Sequence, residues 1–177
     1  MTNHSIFNSS NLPLYTYSTN TYVAPEIGNT PEGDAAKAGA FYILSSGNIS
    51  VGGGSSLLLQ AANAGGSGKT MYISRIVGGT TAAVVLTINS SGTITGGVTP
   101  TPFNTRFGSA NTSVMTGRRN TGTLGGSPTV FWTAQLSAGL FSVEFRGGLI
   151  VPPGQTISIT LGTTASSSSI NLSWWEY

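Results

Sequence analysis

The chain has 177 residues, of which only 12 carry a formal charge (7 Lys or Arg and 5 Asp or Glu), and its net charge is +2. Charged residues make up 7% of the chain, against about 25% in a typical soluble domain. With one histidine, no cysteine and five carboxylates, the composition excludes disulfides and thiolate metal sites. It predicts a non-enzymatic structural protein without a cofactor or a bound metal.

The distribution of charged and apolar residues argues against two classes of partner, nucleic acids and membranes. The seven basic residues are scattered, and only Arg118 and Arg119 are adjacent, whereas a nucleic-acid-binding surface needs clustered Lys and Arg. Residues 1–5 carry no basic segment and no apolar run follows them, which argues against a secretory signal peptide. No apolar run approaches the ~18 residues of a membrane helix. We therefore expect neither nucleic acid nor a membrane as a partner.

Residues 1–23 differ from the rest of the chain. They contain no glycine and no acid, but several large apolar side chains stand among Asn, Ser and Thr. In an extended chain Leu12 and Leu14 share one face and Tyr15 and Tyr17 the other, while Pro13 suits an edge or an irregular point. Two interpretations stay open: a frayed tail or ordinary first strand, and an extension that adds a strand to the sheet of another subunit.

The remaining residues, 24–177, read as one β-rich domain. Residues 31–38 hold the only helical pattern, one short turn interrupted by Gly33. Elsewhere, short β-branched and aromatic runs separated by Gly, Ser, Asn and Pro are typical of a sandwich or barrel. The predicted strands are 40–44, 56–62, 70–77, 83–88, 129–135, 140–145, 155–161 and 170–177. Such strands predict an all-β jelly-roll sandwich of two antiparallel sheets with an extended N-terminal arm.

The sequence also predicts the structure of three further segments. Residues 148–155, with their Pro-Pro-Gly sequence, are predicted to form a sharp connection between two late strands. Residues 90–127 are too long for a structureless loop, so we expect short edge strands or a subunit contact there. Trp174 and Trp175 should face opposite sides of the last strand, so one can enter the core while the other meets solvent or a neighbour. Two interpretations stay open: an ordinary closing strand, and a tryptophan exposed at a subunit seam.

The segment 65–70, Gly-Gly-Ser-Gly-Lys-Thr, superficially matches a phosphate-binding loop. The motif needs a glycine where Asn63 stands and a helix after the threonine, whereas a β-rich run begins at Met71. We therefore interpret this segment as a glycine-rich turn between two strands.

Residues that could support catalysis or bind a metal are few. His4 is the only histidine and lies in the N-terminal extension, so a nucleophile–histidine–acid site has little basis. Glu26, Glu32 and Asp34 are spaced too irregularly for a calcium loop. Glu144 alternates with apolar neighbours on a predicted strand and is expected to point outward rather than to act as a catalytic carboxylate.

Three segments together resemble a known group of proteins: the strand–turn–strand at 57–76, the segment 149–159 and the aromatic final strand. They resemble small jelly-roll structural proteins of spore-forming Gram-positive bacteria and their phages, in particular the subunits of endospore appendages, or spore pili. The resemblance covers residues 37–177, with the N-terminal extension added by analogy. It implies a jelly roll whose extension, residues 1–23, complements the next subunit. The implied donor residues are Ile6, Phe7, Leu12, Leu14, Tyr15 and Tyr17.

One departure from that group concerns cross-linking. The better-known appendage subunits cross-link through N-terminal cysteines, and this chain has no cysteine. If it forms a fibre, strand donation and packing alone must hold the subunits together.

The expected function is therefore that of a structural subunit that assembles with itself into a fibre on an extracellular surface such as a spore. An anchoring protein on the spore or virion surface would be a second partner. One alternative is a closed oligomer, either a phage capsid, decoration or tail protein located in the virion, or the trimeric head of a collagen-like filament. Another is a carbohydrate- or surface-binding module that uses exposed Trp132, Trp174 or tyrosine side chains.

Overall fold

The structure, a computed structural model, describes residues 30–177. The six implied donor residues and His4 lie outside the described residues, as do Glu26 and the first part of the predicted domain. Within the described range no helix is long and apolar enough to cross a membrane.

The described chain contains one short helix and eleven strands. In chain order they are α1 (Pro31–Lys37), β1 (Phe41–Ser45), β2 (Ile49–Val51), β3 (Ser56–Asn63), β4 (Met71–Thr80), β5 (Val84–Ser90), β6 (Phe103–Asn104), β7 (Met115–Gly122), β8 (Thr129–Leu136), β9 (Gly139–Val151), β10 (Thr156–Gly162) and β11 (Ser166–Glu176).

The strands form two antiparallel sheets. The first sheet has the order β6-β1-β11-β4-β9, with β2 paired to the start of β11, and the second sheet has the order β7-β3-β10-β5-β8. Without the short β2 and the outer strands β6 and β7, each sheet has four strands, and consecutive strands cross repeatedly from one sheet to the other. This is the topology of a jelly roll, so the predicted all-β sandwich of two antiparallel sheets is confirmed, while the predicted N-terminal arm lies outside the described residues.

The core lies between the two sheets and follows the alternation of the strands. In β10, Ile157, Ile159 and Leu161 face inward and are almost completely buried. On β11, Trp174 is fully buried and its ring lies 6.2 Å from that of Tyr42 on β1. Large aliphatic side chains from both sheets fill the remaining space, in agreement with the apolar faces read from the sequence.

A second, smaller cluster covers part of the outer face of the first sheet. Helix α1 packs there, and Ala35 contacts Phe41 and Trp175, which is only 6% exposed. The Trp175 ring stacks on Tyr72 at a centroid distance of 5.8 Å. The two tryptophans do face opposite sides of β11. The expectation that the second would meet solvent or a neighbour is wrong, because α1 of the same chain buries it.

All eight predicted strands are present, and some of them begin or end at residues other than those predicted. Strand β9 continues to Val151, so the Pro-Pro-Gly connection is confined to the turn before β10 rather than beginning at Gly148. The helix continues through Gly33 instead of breaking there. Thr30 caps it, because its hydroxyl accepts a hydrogen bond from the Gly33 backbone N–H at 3.2 Å, and Pro31 occupies the first turn.

The segment between β5 and β8 supplies the two extra outer strands, as expected for 90–127. Before β6, residues 91–98 fold over the outer face of the second sheet, where Ile94 is buried. The Gln60 side chain donates to the Gly92 carbonyl at 3.0 Å and to the Ser158 hydroxyl at 2.8 Å. β6 then joins the first sheet and β7 the second. This segment therefore closes one side of the sandwich.

Candidate assembly surface

The outermost strands of the two sheets decide where another chain could add a strand. They are β6 and β9 in the first sheet and β7 and β8 in the second. An outer strand presents unpaired N–H and C=O groups, and folded proteins usually shorten, interrupt, charge or cover such an edge. The four edges of the described domain differ sharply in this respect.

The edges formed by β6 and β7 are both protected. β6 is only two residues long. β7 carries Arg118 and Arg119, and the preceding loop covers its middle, because Val98 and Arg119 exchange two backbone hydrogen bonds at 2.8 and 2.9 Å. Neither edge offers a long row of unpaired backbone groups.

The β9 edge is interrupted by a bulge. The register with β4 shifts so that Leu149 pairs with Ile73 while Glu144 pairs with Arg75, leaving residues 145–148 out of the ladder. Arg146 and Gly147 adopt left-handed conformations with φ of 50° and 84°. The Arg146 guanidinium donates twice to one Glu144 carboxylate oxygen, at 2.9 and 3.0 Å. Glu144 thus points outward as predicted, and its ion pair charges this edge.

β8 has one irregular point, Phe131, which has no register partner on β5, but it is neither short, charged nor covered by a loop of the described chain. Its sequence, Thr-Val-Phe-Trp-Thr-Ala-Gln-Leu, contains no charge and no proline over eight residues, and its sheet partner in the described chain is β5. Val130 and Phe131 are 53% and 46% exposed. A long, uncharged outer strand with exposed apolar side chains is the kind of edge that accepts another strand.

An apolar pocket adjoins this edge. Its volume is about 210 Å³, enough for one or two large side chains, and it lies where β8, β9 and β10 meet. Phe131 of β8 forms one wall, and Leu149, Ile150 and Pro152 line the others. Ile150 is 52% exposed. Phe131 belongs to both features, so the unprotected edge and the pocket form one continuous surface.

The structure also places the residues that resembled chemical sites. The glycine-rich segment forms a turn between β3 and β4, as predicted. Its shape depends on Asn63, whose side chain donates to the Lys69 carbonyl at 2.8 Å and accepts from the Ser67 hydroxyl at 2.5 Å. Within residues 30–177 no group of three His, Cys, Asp or Glu side chains is arranged to hold a metal ion.

The tryptophans named for the carbohydrate-binding alternative are not free aromatic platforms. Trp174 is fully buried, and Trp132 is partly buried and packs against the core. Trp174 is therefore excluded as an exposed binding residue.

Sequence reasoning missed a buried carboxylate at the end of β11. Glu176 is 2% exposed, and it accepts hydrogen bonds from the Trp174 indole N–H at 2.9 Å, from the Val114 backbone N–H at 3.2 Å and from the Ser113 hydroxyl. Burial, and then the negative charge of Glu176, raise the pKa of the Tyr42 phenol above its ordinary value of 10.0. No local pattern marks this burial, because the Ser113 hydroxyl that binds the carboxylate comes from a distant segment.

Comparison of the chain with protein-family models, with curated proteins and with solved structures finds no match. The assignment of a function therefore depends on the geometry of the described domain and on the composition of the N-terminal extension.

Proposed function

We propose that the protein is a structural subunit that assembles with itself into a fibre. In this proposal residues 1–23 of one copy add a strand to the β8 edge of the next copy. The observation that supports it best is the contrast among the four edges: three are shortened, covered or interrupted by charge, and β8 alone is long and uncharged.

The composition of the extension suits such an edge. Strand addition forms main-chain hydrogen bonds along the whole edge, and side-chain pockets select the register. Residues 11–17, Asn-Leu-Pro-Leu-Tyr-Thr-Tyr, carry no charge, and Leu12 and Leu14 alternate with Asn11, Pro13 and Tyr15. One of the large apolar side chains of the extension, such as Phe7, would occupy the pocket beside Phe131.

The symmetry of this contact favours a fibre. Donor and acceptor are different parts of the subunit, so the contact is heterologous, and repeating it gives an open filament unless the rotation between subunits closes a ring. Low charge assists close packing of subunits, because few ionised groups must lose their hydration. We place the fibre on an extracellular surface, such as that of a spore, with an anchoring protein at its base, and we propose no catalytic role.

The test is complementation of a truncated chain by a peptide. A chain of residues 24–177 should remain a soluble single species, and a synthetic peptide of residues 1–23 should bind it with a 1:1 stoichiometry by isothermal titration calorimetry. The matched control peptide carries Leu12→Asp and Leu14→Asp, and it should bind at least about 10-fold more weakly, because each buried leucine contributes more than the ~1.4 kcal/mol that a tenfold change represents.

Two results would count against the proposal. The first is a peptide that does not bind, combined with a truncated chain that has the same oligomeric state as the full chain. The second is a full chain that forms one discrete oligomer of fixed size, which would favour a closed assembly of the phage type.

A further inference from the structure

A separate groove crosses the outer face of the first sheet, between α1 and the β9 bulge. Its volume is about 840 Å³, which is within the usual range of small-molecule sites. Ala36 of the helix lines one side and Arg146 of the bulge lines the other, while the buried residues Phe41 and Ser74 lie at its base. The groove is distinct from the β8 edge, which belongs to the second sheet.

Ser74 is the irregular point of β4. It has no register partner on β11, where Ser173 pairs with Arg75, or on β9, where Glu144 does so. The residue is only 5% exposed, yet its hydroxyl makes no hydrogen bond within the described part of the chain. Buried hydroxyls nearly always have a partner, so this one, at the base of a groove, indicates a polar group that approaches from the groove.

Arg75 follows Ser74 in the chain and differs from the other arginines. Four of the five arginines in residues 30–177 hold a carbonyl or a carboxylate. Arg75 is exposed, lines the groove and makes no hydrogen bond or ion pair with the described residues. A guanidinium beside a buried hydroxyl is suited to a carboxylate, which accepts two parallel hydrogen bonds from an arginine and a third from a hydroxyl.

The two acids that line the groove limit the charge of such a ligand. Glu144 is already paired with Arg146, and Glu32, in the first turn of α1, lies beyond ion-pair distance of Arg75. Neither acid therefore neutralises the Arg75 guanidinium. Both would repel any further negative charge on a ligand, so the groove favours a molecule with one carboxylate over a molecule with several.

We infer that this groove binds a small molecule that carries a single carboxylate on an apolar body. The carboxylate accepts hydrogen bonds from the Arg75 guanidinium and the Ser74 hydroxyl, and the apolar body lies against Phe41 and Ala36. All four residues belong to one subunit, so the site is independent of the proposed fibre.

Equilibrium dialysis of the full chain against radiolabelled phenylacetate tests the site. The method gives the same answer for single subunits and for fibres, so its outcome does not depend on assembly. Phenylacetate should bind with a 1:1 stoichiometry. Phenylacetamide has nearly the same shape but no charge, and it should bind at least about 10-fold more weakly, because the charge-assisted hydrogen bonds are lost. Acetate should also bind more weakly, because it lacks the apolar ring.

Three variants assign the binding to this groove. Arg75→Gln should weaken phenylacetate binding at least about 10-fold and leave phenylacetamide binding unchanged. The matched control is Lys69→Gln, which removes the same charge from an exposed residue outside the groove and should leave both affinities unchanged. Ser74→Ala should weaken phenylacetate binding at least about 3-fold without lowering the Tm, because the hydroxyl that it removes has no partner in the described fold.

Three results would overturn the inference. The first is no saturable binding of phenylacetate, or equal affinities for phenylacetate and phenylacetamide. The second is an equal loss of affinity in the Arg75→Gln and Lys69→Gln variants, because binding would then follow net charge rather than the groove. The third is a lower Tm for Ser74→Ala in the absence of phenylacetate, because the hydroxyl would then be bonded within the fold.

Discussion

At the scale of single residues, the tightest constraint on the sandwich is Gly78 in the middle of β4. A Cβ placed there would collide with the Ser169 carbonyl oxygen of β11 and would lie 2.6 Å from the Phe141 ring of β9. The ring therefore packs directly on the glycine backbone. A larger residue at this position must push two neighbouring strands apart.

The Gly78→Ala variant should accordingly lose about 3 kcal/mol of unfolding free energy, the upper range for overpacking in a core. Gly53→Ala is the matched control, because a Cβ at Gly53 meets no atom within 4 Å, and it should change the stability by less than about 0.5 kcal/mol. Urea unfolding of both proteins measures the difference. Equal midpoints for the two variants would mean that the β4 and β9 strands are not packed as described.

The buried Tyr42 gives a prediction for alkaline pH. Its pKa is raised in the folded protein, first by burial and then by the charge of Glu176. The folded state therefore holds the phenolic proton more tightly than the unfolded chain does. The resulting contribution is fully present below the unfolded pKa of about 10 and is lost as the pH rises through the folded pKa.

Replacing Tyr42 by phenylalanine should make the stability fall less steeply above about pH 10 than it does in the parent protein. At neutral pH the same variant should lose about 1 kcal/mol, because the Tyr42 hydroxyl donates to the Gly39 carbonyl at 3.3 Å. Urea midpoints measured at several pH values on either side of pH 10 test both effects. Parallel alkaline slopes for the two proteins would be inconsistent with a raised Tyr42 pKa.

At the scale of elements, the positions of the regular strands could be predicted from the sequence, but which strand lies at the edge of a sheet could not. Alternation placed β3, β5, β8 and β10 within two residues of their observed ends, because a strand buried on one face repeats every second residue. The three-residue β2 is too short to show a period. Which strand lies at an edge depends on how distant segments pair, so the unprotected state of β8 follows only from the topology.

Charge on the β8 edge should prevent assembly without affecting the fold. Thr133 and Gln135 are exposed in the domain, so replacing both by lysine should change the unfolding free energy by less than about 1 kcal/mol. Lysine on an edge strand discourages pairing with another strand, so the same replacements should abolish polymers of the full chain in sedimentation velocity.

Thr116→Lys is the control for that experiment. It places one lysine at an exposed position of β7, the other outer strand of the second sheet, and should leave assembly intact. If the β7 variant lost its polymers and the β8 variant kept them, β8 would not be the acceptor edge.

At the scale of the whole molecule, the domain depends on contacts between the end of β11 and the segment that connects β5 to β8. Glu176, at the end of β11 in the first sheet, binds the Ser113 hydroxyl and the Val114 N–H just before β7 of the second sheet. This carboxylate therefore links the two sheets at one end of the sandwich. No local pattern in the sequence identifies such a contact, because its partners are about 60 residues apart.

Glu176→Gln should cost about 2 kcal/mol of unfolding free energy, because a neutral amide weakens charge-assisted hydrogen bonds in a buried site. Glu144→Gln serves as the control. Its side chain is 48% exposed, and its ion pair with Arg146 should contribute less than about 1 kcal/mol. A smaller loss at Glu176 than at Glu144 in urea unfolding would contradict the linking role of the buried carboxylate.

The overall architecture was the most predictable feature, and the candidate acceptor surface was the least. Low charge, abundant Gly, Ser and Thr, and short alternating strands indicate a sandwich before any contact is known. The β8 edge and the pocket beside Phe131 both depend on residues from distant strands. Their recognition required the pairing of the sheets, since neither a motif nor a charge cluster marks them in the sequence.

The central claim is that residues 1–23 join subunits into a fibre, and negative-stain electron microscopy tests it most directly. The full chain and a chain lacking residues 1–23 are compared at the same concentration. We predict long fibres of uniform width for the full chain and none for the truncated chain. Discrete particles from the full chain, or fibres that persist without residues 1–23, would contradict the account.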